Sequence, residues 1–153
     1  MQVLIPSKIV HQIITALNLA KKREIGGIMM GEHIDENKFR INEITIQTHG
    51  GTLSSFIRSI KDFTEPLRSF FNRTKHEYTR FNYLGEWHSH QNFALIPSSK
   101  DTFTMEEIVM DPESNVNFAI LLLVRIGQSG YLESTVTLYQ PGRKNTSAEI
   151  IYE

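Results

Sequence analysis

Apolar residues recur along this chain in two periods, and the switches between them mark its elements. "QVLIP" at the start reads as a short strand. Ile9, Ile13 and Leu17, with Val10 and Ile14 beside them, then make one helical face, and Ser7 stands where an N-cap is expected. Residues 24–31, "EIGGIMMG", are apolar and glycine-rich, the pattern of a buried strand closely approached by another segment. Residues 38–48 alternate polar and apolar, as a half-buried strand does. His49, Gly50 and Gly51 are expected to turn the chain, and "SSFIRSI" to add a further strand. Thr64 and Pro66 are expected to open a second helix, with Phe63, Leu67, Phe70, Phe71, Thr74 and Tyr78 on its packing side. Residues 80–90 read as a strand and residues 98–111 as a short third helix. "VNFAILLLV" and "YLESTVTLYQ" are late strands, Pro141 and Gly142 end the second, and "AEIIYE" reads as a last edge strand. This order implies a central mixed sheet flanked by helices, an α+β or irregular α/β fold.

Composition narrows the picture. A chain of 153 residues with 40% hydrophobic content suits one domain, 1–153, with a core that needs no staples. The net charge of −1 gives no general reason to expect nucleic acid or an anionic membrane as partner. Cysteine is absent, which excludes disulfides, Cys-based zinc sites and a cysteine nucleophile. Any metal must be held by His, Asp, Glu and water. The N-terminus has no basic region ahead of an unbroken apolar run, so no signal peptide is read. "FAILLLV" is too short to span a bilayer. A soluble cytoplasmic protein is the expectation.

The chemistry concentrates in "GEWHSHQNFALIPSSKD", residues 85–101. On a strand, His88 and His90 project to the same side, with Cα atoms roughly 6.7 Å apart. Two imidazoles at that spacing can converge on one ion, and Asp101 is a natural third ligand brought back by the loop. Catalytic zinc sites commonly use three protein ligands and keep one position open. A zinc ion there would lower the pKa of a water to about 7. A carboxylate is still needed to move that water's proton. Periodicity alone favours Glu86 for this role, since it falls on the His88 face, whereas nothing in the spacing places Glu24. Ser98 can donate to an oxyanion, at a helix start where negative charge is favoured. A plainer reading also fits: Ser98 and Asp101 match a capping box, which needs no metal, and His-x-His pairs arise by chance.

His88-Ser89-His90, seven residues, then Ser98-Ser99-Lys100-Asp101 resembles the JAMM (MPN+) metallopeptidase signature H-[ST]-H-x7-S-x-x-D. The signature is paired with an upstream E-x-x-G-x-x-x-G setting, which Glu24, Gly27 and Gly31 match. The resemblance spans residues from about 5 to about 140 and implies a cytidine-deaminase-like core with one catalytic Zn2+. By that analogy His88, His90 and Asp101 are the ligands, Glu24 is the general acid/base, and Ser98 supports the oxyanion. Glu86 becomes a candidate in the shell behind the ligands. Where the family usually has proline after the second histidine, this chain has Gln91, which touches the shape of the loop. Family members cleave peptide or isopeptide bonds after the C-terminus of ubiquitin or a ubiquitin-like protein. The short chain looks most like bacterial members of ubiquitin-like conjugation and CBASS antiphage operons. The implied partners are a conjugated protein C-terminus, E1- and E2-like enzymes, or a CD-NTase conjugate.

Two other readings stand beside this one. One is a non-catalytic MPN scaffold, the other a zinc hydrolase processing a sulfur-carrier or other small carrier protein. A nucleobase deaminase is excluded because its P-C-x-x-C arm needs cysteine. Residues 58–80 carry Arg58, Lys61, Arg68, Arg73, Lys75 and Arg80, which reads as a docking face or, more simply, a solvated one. Trp87 should point away from the histidines into the core; Met29 and Met30 read as lining a groove for an extended substrate tail or, more simply, as core. Lys21, Lys22 and Arg23 should meet the first helix's C-terminal dipole. His11, His33, His49 and His76 have no partner spacing and read as surface or structural.

Overall fold

The computed structural model describes residues 1–47 and 60–153. The expected turn at His49, Gly50 and Gly51, the "SSFIRSI" strand and Arg58 fall outside them. In chain order the elements are β1 (Gln2–Ile5), α1 (Ser7–Ala20), β2 (Gly26–Asp35), β3 (Lys38–Ile44), α2 (Ile60–Arg73), β4 (Phe81–Ser89), α3 (Ser99–Met110), β5 (Ala119–Ile126), β6 (Leu132–Tyr139) and β7 (Thr146–Tyr152).

The sheet is mixed, and it closes on itself in the order β1-β3-β2-β4-β5-β6-β7. β4 and β5 run parallel, and β2 is antiparallel to both β3 and β4. Closure is made by β1, which lies parallel to β3 on one side and to β7 on the other. The last strand is therefore no edge: Glu149 to Tyr152 pair with Gln2 to Ile5. Pairing removes the free backbone groups that an edge would present.

α1 packs on one side of the sheet. Ile9, Ile13 and Leu17 pack with Val3, Ile41, Trp87 and Val136 in one buried cluster. Each fully buried side chain of this size contributes about 1.5–3 kcal/mol. The other side of the sheet is covered twice. Phe63 and Phe70 of α2 pack on Ile28 and Met30, and Met105 and Val109 of α3 pack on Leu121, Leu123 and Tyr139. β5 is thus buried on both faces, with Ile120, Leu122 and Val124 toward α1 and Leu121 and Leu123 toward α3. This double burial is why "AILLLV" is continuously apolar rather than alternating.

Several boundaries differ from the sequence reading. Pro6, not Ser7, occupies the N-cap of α1, and no side chain caps it. Ser7 is the first helical residue, and both its N–H and its hydroxyl donate to the Glu153 carbonyl. Lys21 to Arg23 lie past the end of α1, whose last turn carries no basic residue. α2 begins at Ile60, which puts Pro66 inside the helix. It ends at Arg73, so Thr74 and Tyr78 lie beyond it. Lys75 and His76 take positive φ (55° and 58°) and break the helix. Tyr78 then folds back edge-on against Phe71, ring centroids 5.0 Å apart.

The arginines of the 58–80 segment that are described are paired at the surface: Arg68 with Glu65, Arg73 with Glu43 and Arg80 with Glu32. That pairing favours a solvated face over a free basic one. No helix among the described residues is long and apolar enough to cross a membrane.

Candidate metal centre

β4 builds the site. Its pairing with β2 slips at Leu84, because Met29 pairs with Gly85 and Met30 with Tyr83. Gly85 sits at φ 146°, where a Cβ would lie 1.9 Å from the Ile120 carbonyl oxygen. The bulge puts Leu84 in the α1 cluster together with Trp87. Trp87 is fully buried and its indole N–H donates to the Thr45 carbonyl at 2.9 Å. Beyond the bulge, Glu86, His88 and His90 alternate away from Trp87. Met29 and Met30 are core residues, as expected.

Opposite His88 the neighbouring strand has Gly26. A Cβ there would lie 2.8 Å from the His88 Cβ and 2.2 Å from the Trp87 carbonyl oxygen. Glycine is required by this close approach, which is what the glycine-rich stretch signalled.

α3 supplies the third group. Ser98 is its N-cap and the capping box is complete: Asp101 N–H donates to Ser98 Oγ at 3.1 Å, and Ser98 N–H donates to Asp101 Oδ2 at 2.7 Å. The cap and the candidate ligand are therefore one structure. The helix start that the plainer reading explains is also what holds the carboxylate toward the histidines.

The three side chains meet. His88 and His90 Nε2 are 3.0 Å apart, and Asp101 lies 3.6 Å from His88 Nε2 and 3.7 Å from His90 Nε2. All three residues are buried. Two nitrogens on one tetrahedral zinc at 2.0–2.1 Å would stand about 3.3 Å apart. His90 Nδ1 bonds the Ala94 carbonyl at 2.8 Å, so its proton sits there and Nε2 keeps its lone pair for the centre. Three donors, two imidazole nitrogens and a carboxylate, facing one another with the His90 tautomer fixed, fit a divalent ion such as zinc.

The loop from His90 to Ser98 is pinned by side chains. Gln91 Oε1 accepts from Ile126 N–H at 2.9 Å, Arg125 donates to the Phe93 carbonyl at 3.1 Å, and Thr135 to the Leu95 carbonyl at 2.9 Å. Gln91 thus orders the loop by a hydrogen bond where a proline would do so by stiffness.

Glu24 is exposed, just before β2. Glu86 is buried on the histidine face and its Oε2 has no hydrogen-bond partner. Burial, and then the Asp101 carboxylate, push Glu86 up to about 7. Burial also pushes Asp101 up, but hydrogen bonds and charge from His88, with the Ser98 donors, outweigh it and hold Asp101 at about 2. Asp101 therefore stays ionised through the acidic range.

The Glu86 shift has a sign. From an ordinary value of 4.5 to about 7 in the fold, the carboxyl keeps its proton longer folded than unfolded. The stability of metal-free protein is expected to fall as pH rises from about 4.5 to about 7 and then level off, by on the order of 3 kcal/mol. Glu86→Gln should flatten that limb. Urea midpoints of both metal-free proteins at pH 5 and pH 8 check it; parallel slopes would count against the shift.

A buried His–His–Asp centre, formed where a strand and a capped helix of a mixed α/β fold meet, defines a protein of MPN/JAB type. The model of the prokaryotic homologs of the JAB domain matches residues 6–137, and the chain belongs to that family. No curated protein matches it. Among solved structures, a protein from Desulfitobacterium hafniense is similar at TM-score 0.65 and 13% identity, over 99% of this chain and 92% of that one. A protein from Salinibacter ruber is similar at TM-score 0.56 and 15% identity, over 100% of this chain and 92% of that one. At these identities the likeness is one of fold.

Proposed function

We propose that this chain is a zinc-dependent metallopeptidase that hydrolyses a peptide or isopeptide bond after the C-terminus of a ubiquitin-like or similarly conjugated protein. The observation that carries the reading is the buried His88, His90 and Asp101 triangle in a chain of the JAB family. Zinc supplies Lewis acidity when bound, polarising the scissile carbonyl and making a water ionise near neutral pH.

The chain's own residues do the rest. The Glu24 carboxylate takes the water's proton and passes it to the leaving amine. Its place supports this: Gly26 pairs with His88, and Ser89 N–H donates to the Ile25 carbonyl at 2.8 Å. The chain therefore delivers Glu24 to the same end of the β2–β4 pair as the histidines. Ser98 Oγ accepts from Asp101 N–H and its hydroxyl lies by the Asp101 carboxylate, so it stands at the centre, where turning its proton toward an oxyanion would support the developing charge. Phe93, whose ring lies 6.1 Å from that of His90, is exposed, as are Ile96 further along the same loop and Phe103 on α3. Such exposed side chains suit an extended peptide tail with apolar side chains.

The test is cleavage of a fusion bearing the C-terminus of a carrier protein from a bacterial conjugation or antiphage operon, with and without chelator. Cleavage lost to chelator and restored by zinc is the expected result. Protein that carries no stoichiometric zinc would instead be a scaffold, and release of sulfur or a small amine from the carrier would make it a carrier-processing hydrolase.

A further inference from the structure

Two buried polar atoms beside the triangle lack hydrogen-bond partners, Glu86 Oε2 and His88 Nδ1, and they are complementary. His88 turns Nε2 toward His90 and Asp101. A histidine that gives its Nε2 lone pair to a metal carries its proton on Nδ1, and that N–H needs an acceptor. For His90 the acceptor is the Ala94 carbonyl. For His88 the cross-strand neighbours offer none: Gly26 stands opposite on β2 and Leu123 on β5. The residues opposite Glu86, Ile28 and Leu121, are equally apolar. Glu86 lies two residues before His88 on the same strand face and is only 4% exposed.

We infer that Glu86 is the positioning residue for His88: its carboxyl oxygen accepts the Nδ1 proton when the centre is loaded and locks the ring in the ligand tautomer. This rests on reading the triangle as a metal centre. It gives a buried carboxyl whose Oε2 has no partner a task, and it distinguishes Glu86 from a proton carrier, since Glu86 acts through the ring and touches no reacting atom.

The test uses the full chain as wild type, Glu86→Leu and Glu86→Gln. Zinc affinity is measured by competition with a chelator, and unfolding is measured on the metal-free proteins. Glu86→Leu is expected to weaken zinc binding roughly 10- to 100-fold, although its metal-free form is no less stable than wild type. Glu86→Gln keeps an acceptor oxygen and should bind within a few-fold of wild type. Nitrogen NMR of loaded wild type should show the His88 proton on Nδ1, exchange-protected, and less so in Glu86→Leu. Wild-type affinity in Glu86→Leu, or equal losses in both variants, overturns the inference and leaves the metal centre standing. A wild-type protein that binds no zinc overturns both.

Discussion

A Glu24→Gln variant is expected to bind zinc as well as the wild type and to cleave its substrate roughly 100- to 10,000-fold more slowly. Glu24 is exposed and outside the His88, His90 and Asp101 cluster, so removing its charge takes nothing from the ligands. The amide keeps the shape and loses the ability to take a proton. Zinc stoichiometry and single-turnover cleavage, measured on one preparation, check both halves. Wild-type cleavage by Glu24→Gln, with cleavage lost in Glu86→Gln, would move the base to Glu86.

Asp101→Asn should separate folding from metal binding at a single residue. An asparagine oxygen can still accept the Ser98 N–H, so the cap of α3 should survive. A neutral amide is a poor zinc ligand beside a carboxylate that is ionised down to about pH 2. Zinc affinity is expected to fall by more than the roughly 100-fold that changes behind the ligands cost, and activity should vanish with it. Ser98→Ala makes the contrast, since it breaks the cap and costs about 1 kcal/mol of stability with the ligands still in place. Full zinc occupancy in Asp101→Asn would count against the triangle as the metal centre.

Much of the fold was legible because its signals are local. The apolar face of α1, the doubly buried run of β5, and the cap of α3 each depend on residues a few positions apart. The same holds for His88 and His90, whose shared side follows from strand alternation. Trp87 could be assigned to the opposite face for that reason. Less visible was the bulge at Leu84, because an inserted residue leaves the apolar pattern looking regular while it resets which side each residue faces. Thr64 and Pro66 imitate an N-terminus inside α2, which begins earlier, at Ile60. Gln91, a departure from proline in the sequence, ties the loop to Ile126 through a bond to a strand some 35 residues away.

By itself the sequence determined the chemistry available: no thiols, two histidines on one strand face, and a serine and an aspartate at a helix start. It also carried the motif that places the chain in its family. Only the tertiary structure decided that Asp101 comes within 3.7 Å of both histidines, that Gly26 lets β2 lie against His88, and that β7 closes the sheet through β1. The physical reason is the range of the interactions. Periodicity and capping act over one or two turns of chain, whereas strand pairing and ligand convergence join segments tens of residues apart. That meeting depends on how the whole core packs.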